Sequence, residues 1–195
     1  QLGMQLLAKQ TIFAEGCRGS LSKKVIKRFN LDTDSCPQTY GLGFKEIWRV
    51  EKNTPGTVSH TIGWPLKSDT YGGSFIYHLD NNKISIGFVI GLDYKNPWLS
   101  PFDEFQRFKT HPSIKSLLKN GERLSYGAKS LVEGGFQSIP KLTFPGGMLI
   151  GDGAGFLNVA KIKGSHTAMK SGILAANAID QSFEKLSDQN IEIKS

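Results

Sequence analysis

The sequence contains little cysteine, and its apolar runs are short. Cys17 and Cys36 are the only cysteines, which is too few for a self-contained iron–sulfur cluster or an all-cysteine zinc site. The sequence leaves a disulfide between them open. No stretch approaches the roughly 20 apolar residues of a membrane-spanning helix. The first four residues lack the pattern of a signal peptide, so we expect a globular chain without its own cysteine-bound metal.

Common motifs of hydrolytic catalysis are also missing. There is no Gly-x-Ser-x-Gly, no His-Glu-x-x-His and only four histidines, so the sequence predicts no activated nucleophile or acid–base pair. The net charge of +7 would suit nucleic acid, anionic lipid or an acidic protein. The basic residues are dispersed, however, which favours a solvated basic surface over a nucleic-acid interface.

The first segment has the order strand, turn, helix. Thr11 to Gly16 is a short apolar run closed by glycine, as in a buried strand. Ser20 or Ser22 then predicts a helix start, because serine often caps helix N-termini. The buried face of this helix is predicted to hold Leu21, Val25, Ile26 and Phe29. Residues 8–30 therefore resemble a nucleotide-binding α/β layer.

From Gln38 the apolar residues repeat with a period of two. Residues 40–50 alternate as in a half-buried strand, and 57–63, 72–79 and 83–92 continue the pattern. Asp80–Asn82 is typical of a hairpin turn. The sequence thus predicts an antiparallel sheet of about four strands over 38–92.

Two helices and another strand are predicted next. Ser100 followed by Pro101 marks a helix start, because serine caps the first turn and proline fits within it. The buried stripe of this helix is predicted to be Phe102, Phe105 and Phe108. A second short helix should end by Gly121, and 123–132 has the composition of a strand.

The last third returns to α/β chemistry. Met148–Ile150 is a short apolar run that leads directly into the glycine-rich segment 151–155. Ser165 can cap a following helix. The inner face of that helix is predicted to be small: Ala168, Gly172, Ala175, Ala176 and Ile179. The order of all segments predicts an α/β fold with an inserted antiparallel β-sheet.

The segment 148–155 is the strongest local indication of a binding site. Asp152 would lie at the carboxyl edge of a sheet, where α/β proteins bind ligands. Its carboxylate could accept hydrogen bonds from sugar or ribityl hydroxyls, while the glycines let backbone amides approach a pyrophosphate. An ordinary strand-ending turn is the alternative, and the small-faced helix favours the site.

The start of that helix has an electrostatic use. Amides near Gly164–Thr167 would lie at the positive end of the helix and could face a negatively charged ring edge. Lys161 and Lys163 either add to this field or are surface lysines. His166 is either part of the site or a capping and packing residue.

Several motifs together resemble one family, the electron-transfer-flavoprotein:ubiquinone oxidoreductases. The resemblance covers about residues 11–178, as an internal fragment of such an enzyme. It is carried by six runs: 70–75 (Thr-Tyr-Gly-Gly-Ser-Phe), 91–94, 99–102, 104–107, 133–141 and 163–172.

The resemblance implies an enzyme with an FAD domain, a ubiquinone-binding domain and a domain with a 4Fe-4S cluster. Residues 1–36 and 134–186 would be parts of a glutathione-reductase-like FAD/NAD(P)-binding domain. Residues 37–133 would be the ubiquinone-binding α+β domain, and 187–195 a polar tail. The implied FAD-binding residues are Gly151, Asp152, Gly164, Thr167 and Ser138. The implied quinone-binding residues are Tyr71, Gly72 and Gly73, although a Gly-Gly pair on a strand by itself indicates a bulge or bend.

The chain also departs from the full family pattern. No Gly-x-Gly-x-x-Gly follows a strand, and the four cluster cysteines are missing. We therefore expect a truncated segment that binds FAD weakly by itself and does not bind the cluster. The implied partners of the intact enzyme are ubiquinone, electron-transfer flavoprotein and a membrane surface, met mostly through parts outside this chain. The implied location is a bacterial cytoplasmic membrane or the mitochondrial inner membrane.

Two alternatives remain at this stage. A geranylgeranyl-reductase-like flavoprotein would share the Gly-Asp turn and the inserted sheet, but 70–75 and 133–141 argue against it. A non-enzymatic module could instead use the +7 charge to bind acidic partners or anionic lipid.

Overall fold

A computed structural model describes residues 3–189 of the chain. The strands are β1 (Thr11–Phe13), β2 (Tyr40–Arg49), β3 (Val58–Thr61), β4 (Gly72–Leu79), β5 (Lys83–Gly91), β6 (Glu122–Val132), β7 (Thr143–Phe144) and β8 (Gly147–Leu149). The α-helices are α1 (Ser20–Phe29), α2 (Pro101–Lys109), α3 (Pro112–Leu118) and α4 (Ser165–Gln189). Two 3-10 turns lie at Phe136–Ser138 and Gly151–Ala154.

The chain folds into two compact units. The discontinuous unit comprises Gln1–Gln38 and Val132–Ser195, and the continuous unit comprises Thr39–Leu131. The fold is therefore a mixed α/β fold with an antiparallel sheet, as the sequence predicts. The predicted functional identity of the segments 1–36, 37–133 and 134–186 stays a prediction at this point.

The discontinuous unit combines a small sheet of short strands with the helices α1 and α4 and the loops between them. Its sheet has the order β1-β8-β7, with β1 parallel and β7 antiparallel to β8. Phe13 and Leu149 are register partners, so the carboxyl ends of β1 and β8 lie side by side. The core is small: Leu31, Leu149 and Ala154 are buried, and aromatic rings such as Phe29 and Phe144 pack around them.

Helix α1 does not begin as predicted. Gly19 occupies the N-cap position, and Ser22 is buried in the first turn. The Glu15 carboxylate accepts hydrogen bonds from the Leu21 and Ser22 amides (3.2 and 2.6 Å) and from Ser22 Oγ (2.7 Å). The predicted serine cap is thus wrong, because a carboxylate from the preceding loop takes its place. Leu21 is also 54% exposed, so its predicted position on the buried face is wrong.

The bond from the Ser22 hydroxyl is the main reason that the pKa of Glu15 lies below its ordinary value, and the bond from the Ser22 amide adds to it. The helix start is therefore secured by a charged group that stays ionised at neutral pH. Cys17, which lies between Glu15 and the helix, is buried, Cys36 is exposed, and neither of the two is in a disulfide.

A five-stranded sheet of order β3-β4-β5-β2-β6 forms the continuous unit. The four strands predicted within 38–92 are confirmed, and the predicted strand 123–132 joins them as edge strand β6. Strand β5 lies in the middle, and Ile84, Ile86, Phe88 and Ile90 alternate along its buried face. Ser85 and Gly87 on its other face are buried as well, so this central strand is covered on both faces.

Helices α2 and α3 contribute to the core of the continuous unit. Ser100 Oγ accepts a hydrogen bond from the Asp103 amide (3.3 Å), so the predicted serine cap of α2 is confirmed. Phe105 and Phe108 are buried as predicted, and both stack on Phe88. Phe102 is 53% exposed, so its place in the predicted stripe is wrong. Its ring lies in the first turn, edge-on to Phe44.

Helix α4 carries the predicted small inner face with two differences. Ala175 is buried and Ala168, Gly172 and Ile179 are half-buried, but Ala176 is exposed and its prediction is wrong. The buried position that the prediction missed is Ser171. The helix starts at Ser165 itself and runs through Gln189.

Residues 190–195 of the predicted polar tail lie outside the described residues. Within the described range no helix combines the length and apolarity needed to cross a membrane.

Candidate functional site

The turn Gly151–Ala154 lies where β1 and β8 end together. Gly151 has a φ of +62°, a conformation that favours glycine. A β-carbon built on Gly153 would lie 3.4 Å from the Gly16 carbonyl oxygen, so the turn packs closely against the segment after β1. Asp152 is half-buried in this turn. The structure therefore places Asp152 at the carboxyl edge of the parallel strand pair, where the sequence predicts it.

Ser171 holds this turn in place. Its hydroxyl accepts a hydrogen bond from the Gly151 amide (2.9 Å) and donates one to the Ala168 carbonyl (2.7 Å). A β-carbon on Gly151 would lie 3.6 Å from that of Ala168, so the first turns of α4 pack directly on the Gly151–Ala154 turn. The sequence analysis missed Ser171, although its spacing from Ala168 and Ala175 places all three on one helix face.

Thr167 joins the start of α4 to the loop that follows the turn. Its hydroxyl lies within hydrogen-bond distance of the Phe156 carbonyl oxygen and 2.8 Å from that of Gly164. The Ala168 amide donates to Gly164 O as the first helical bond (2.9 Å). The amides of the first helical turn lack intrahelical acceptors, as in any α-helix. Gly164 and Thr167 therefore lie at an N-terminus that is anchored beside the Gly151–Gly155 segment.

The charged residues next to this N-terminus lie on a hairpin. The backbones of Asn158 and Lys163 form two hydrogen bonds (2.9 and 3.2 Å), and Asn158 Oδ1 accepts from the Lys161 amide (3.0 Å). Lys161, Lys163 and His166 are all exposed. The two lysines are therefore positioned to contribute positive charge near the start of α4, whereas His166 is a residue of the first turn of α4 itself.

Ser138 lies in a second loop of the same unit. It is 5% exposed, and its Oγ lies 3.0 Å from Pro37 O and 3.2 Å from Gly134 O. Gln38 Oε1 accepts a hydrogen bond from the Gly134 amide (2.8 Å), while a β-carbon on Gly155 would lie 2.8 Å from Gln38 Nε2. Gln38 thus connects the loop of Ser138 with the Asp152 turn. The sequence analysis missed it, since no local pattern marks a glutamine that bridges loops distant in sequence.

The five predicted FAD-binding residues therefore gather in the loops of the discontinuous unit. Gly151 and Asp152 form the central turn, Gly164 and Thr167 start α4 beside it, and Ser138 connects to it through Gln38. This arrangement offers a half-buried carboxylate, close-packed glycine backbone and the positive end of a 25-residue helix. It suits a ligand with hydroxyl groups and a planar or negatively charged edge.

The predicted quinone residues lie in the continuous unit, at the start of β4. A β-carbon on Gly72 would come within 2.4 Å of Val89 O, and one on Gly73 within 2.7 Å of Thr61 O. Both glycines pair in regular register with β5, so the bulge that a Gly-Gly pair indicates is absent in β4. The glycines are required because neighbouring backbone leaves no space for side chains. Tyr71, just before them, is 53% exposed.

No group of three or more His, Cys, Asp or Glu side chains within residues 3–189 could hold a metal ion.

Comparison with known sequences gives a consistent family. The family model "ETF-QO, ubiquinone-binding" matches residues 40–131, nearly the whole continuous unit. The human electron transfer flavoprotein-ubiquinone oxidoreductase is 60% identical over 98% of this chain and 31% of its own length. The Pseudomonas aeruginosa protein of the same name is 57% identical over 93% of this chain and 33% of its own length. The chain thus spans about a third of these relatives.

Solved structures share the fold at lower identity. A geranylgeranyl bacteriochlorophyll reductase-like protein from Thermoplasma acidophilum superposes with a TM-score of 0.66 at 19% identity, covering 95% of this chain and 47% of that one. A flavin-dependent brominase gives 0.62 at 24% identity, covering 93% and 46%. These structures show a common fold. Over nearly its whole length the chain is similar to a segment of electron transfer flavoprotein-ubiquinone oxidoreductases, and its residues 40–131 match the ubiquinone-binding part of that family.

Proposed function

We propose that this chain is the part of an FAD-dependent oxidoreductase that carries half of the flavin site and the ubiquinone-binding sheet. The parent enzyme would take electrons from reduced electron transfer flavoprotein and pass them to ubiquinone. The observation that carries the proposal is the 57–60% identity to oxidoreductases of that name over more than nine-tenths of the chain. The activity belongs to the parent protein, of which this chain is about a third by the length of its relatives.

The loops of the discontinuous unit fit FAD by their donor set. Asp152 would accept hydrogen bonds from ribityl hydroxyls, and the amides at the start of α4 would face the electron-rich edge of the flavin ring. Thr167 and Ser138 would hydrogen-bond the ring, although their hydroxyls lie next to backbone carbonyls. FAD, when bound, supplies the capacity to accept electrons singly and release them in pairs. These residues bind and orient it and tune its potential.

Tyr71, Gly72 and Gly73 are proposed to contact the quinone head group. The match of the ubiquinone-binding family model to 40–131 supports this placement, since it includes all three residues. Their backbone groups would offer hydrogen bonds to the quinone oxygens, and the exposed Tyr71 ring would cover one side of it. The 4Fe-4S cluster and most of the membrane contact would belong to other parts of the parent. The relatives' origins fit a mitochondrial inner membrane or a bacterial cytoplasmic membrane.

The test uses the full-length parent protein. Purified protein should show flavin absorbance and should reduce a ubiquinone analogue when reduced electron transfer flavoprotein is the donor. Failure of that electron transfer by protein that contains flavin would contradict the proposal. Asp152→Ala should lower the flavin content several-fold, whereas Asp180→Ala, an exposed carboxylate on α4, should leave it unchanged.

The alternatives receive less support. Likeness to the geranylgeranyl reductase-like structure is at 19% identity and extends to the fold alone. A non-enzymatic binding module would not account for the family of the relatives. The same assay with a lipid alkene in place of the quinone separates the reductase alternative from the leading one.

A further inference from the structure

A groove with a basic rim lies on the helical side of the continuous unit. It has a volume of about 710 Å³ and is bordered by β2, α2 and α3. Trp48, Pro112 and Leu118 supply apolar wall, and Lys109, Lys115 and Lys119 supply three ammonium groups. We call it the lysine groove. It contains none of the residues assigned above to the flavin or the quinone.

A buried carboxylate organises one wall of the groove. Glu46 is 2% exposed and accepts a hydrogen bond from Trp48 Nε1 (2.7 Å). It also pairs with Lys109 (2.9 Å) and Arg123 (3.3 Å). The Lys109 ammonium in turn lies over the Trp48 and Phe105 rings, 5.6 and 4.8 Å from their centroids. The Trp48 ring is therefore fixed in orientation before any ligand arrives, which reduces the entropic cost of binding.

The α3 side of the groove carries positive charge that no ion pair among the described residues neutralises. Lys115 and Lys119 are exposed, and neither forms an ion pair within the described residues. Glu46 carries one negative charge and is engaged by two basic side chains. The amide nitrogen of Gln106, also in the groove wall, is buried without a hydrogen-bond partner in the described structure. The groove thus has a surplus of positive charge.

The shape of the groove distinguishes between anionic partners. A membrane surface is bound by apolar side chains that protrude, whereas Trp48 is half-buried in the wall. A shallow groove with a half-buried indole beside exposed ammonium groups instead fits a protein segment that places one apolar side chain on it and carries carboxylates on both sides. The charge is complementary to such an acidic segment.

We infer that the lysine groove docks an acidic segment of a protein partner, and that this partner in the parent enzyme is electron transfer flavoprotein. This inference rests on the proposed function for the identity of the partner. Lys115 and Lys119 would attract the segment, and Trp48 with Leu118 would receive its apolar side chain.

The test measures the Kd of electron transfer flavoprotein for the full-length parent at low and high salt. The double variant Lys115→Glu, Lys119→Glu should weaken binding about tenfold at low salt and less at high salt. The matched control is Lys95→Glu, Lys129→Glu, which makes the same charge change at exposed positions outside the groove and should leave Kd within about twofold.

A second variant changes the shape of the lysine groove and leaves its charge unchanged. Ser116→Trp would fill the groove with an aromatic ring while keeping all three lysines, and it should also weaken binding about tenfold. Circular dichroism identifies a variant that fails to fold. The rate at which a ubiquinone analogue oxidises chemically reduced parent enzyme should be unchanged in both variants, because the quinone residues are elsewhere.

If the double variant Lys115→Glu, Lys119→Glu folds and binds electron transfer flavoprotein with an unchanged Kd, the inference is wrong. So would loss of binding to phosphatidylserine vesicles together with an unchanged Kd, since the groove would then recognise lipid. The wild-type turnover assay judges the proposed function separately. If wild-type parent binds electron transfer flavoprotein but transfers no electrons, the function fails while the Kd values still decide the groove.

Discussion

The two units of this chain are stabilised in different ways. In the continuous unit, strands of up to 11 residues bury a cluster of eight apolar residues, among them Phe88 and Phe105. In the discontinuous unit, the three strands have two or three residues each and the buried apolar cluster has three members. There, buried serines such as Ser138 and Ser171 hold loop backbone in place.

The difference between the two units explains why the proposed flavin-binding residues lie in loops. A sheet with a large apolar core is a rigid platform, but strand pairing uses most of its backbone groups, apart from those at strand ends such as Gly72 and Gly73, which lie beyond the last register pair of β3 and β4. Loops at the carboxyl edge of short strands keep backbone amides available, and side-chain hydrogen bonds must then fix their geometry. Site residues such as Asp152 accordingly lie where polar contacts, rather than apolar area, determine the conformation.

The largest expected effect is on the apolar core. Phe88→Ala removes a ring that is 1% exposed and stacked on Phe105 and Phe108, so it should lower the free energy of unfolding by about 4 kcal/mol. Urea unfolding followed by circular dichroism measures the change. Phe102→Ala, at a 53% exposed ring in the first turn of α2, is the control and should cost less than about 1 kcal/mol. Equal losses would contradict the view that burial stabilises this unit.

Glu46 is a buried charged residue in a unit that is otherwise stabilised by apolar burial, and its removal tests how much its ion pairs contribute to stability. Glu46→Gln should lower the free energy of unfolding by about 3 kcal/mol, because it leaves the Lys109 ammonium in a site only 13% exposed without its counter-charge. Trp48 fluorescence should shift as well, since Glu46 accepts its Nε1–H. Glu122→Gln, in an exposed pair with Arg49, should cost less than about 1 kcal/mol by the same urea titration.

The next largest loss of stability is expected where a side chain is added at the glycines proposed to contact the quinone. Gly73→Ala would place a β-carbon 2.7 Å from Thr61 O and should lower stability by about 2 kcal/mol. Gly127→Ala, on edge strand β6 with no atom within 4 Å of the new carbon, should instead raise stability by about 0.5 kcal/mol. Thermal unfolding of both variants checks the pair. A neutral Gly73→Ala would mean that β3 and β4 can separate freely.

Ser171→Ala examines the hydrogen-bonded loops of the discontinuous unit. The Gly151 amide would lose its acceptor, which should lower stability by about 1.5 kcal/mol. In the full-length parent the same change should reduce flavin retention, because the Asp152 turn would no longer be fixed. Ser182→Ala removes a hydroxyl that bonds to Ala178 O on the exposed part of the same helix and should have no such effect. If the two variants contain the same amount of flavin, Ser171 does not position the Asp152 turn for flavin binding.

The smallest effect concerns pH. The pKa of Glu15 lies below its ordinary value because Ser22 donates to its carboxylate through the side chain and the amide. The folded state therefore gains stability from ionised Glu15 above the unfolded pKa, and it loses this gain as the pH falls through the lower folded pKa. Unfolding titrations between neutral pH and pH 3 should show a shallower acid loss in Glu15→Gln than in wild type. An identical acid slope in both proteins would show that the carboxylate does not secure helix α1.

Periodicity in the sequence was sufficient for the continuous unit. The alternation over 40–50 and 83–92 predicts β2 and β5, and Ser100 before Pro101 predicts the start of α2. Side chains that cap a helix or hold two loops together were harder to predict. Glu15 replaces the serine cap of α1 from five residues before the helix, and Gln38 contacts a loop whose Gly134 is 96 residues away. Such contacts have no local pattern, because their partners become neighbours only after the chain has folded.

Glu46 illustrates the same limit inside a well-predicted strand. It lies in phase with Phe44 and Trp48, so alternation alone would assign an apolar residue to its position. Only the approach of Lys109 and Arg123, 63 and 77 residues further along, makes burial of this carboxylate tolerable.

The sequence alone was sufficient to predict the similarity to electron transfer flavoprotein-ubiquinone oxidoreductases, the strand pattern of the continuous unit and the position of Asp152 after a short strand. Residue types and their spacing carry these features, since side-chain periodicity and turn chemistry are local properties. The tertiary structure decided which polar groups fix the loops, why Gly72 and Gly73 cannot carry side chains, and where uncompensated lysines gather beside Trp48. Those features depend on distances between segments far apart in sequence, which only the folded chain sets.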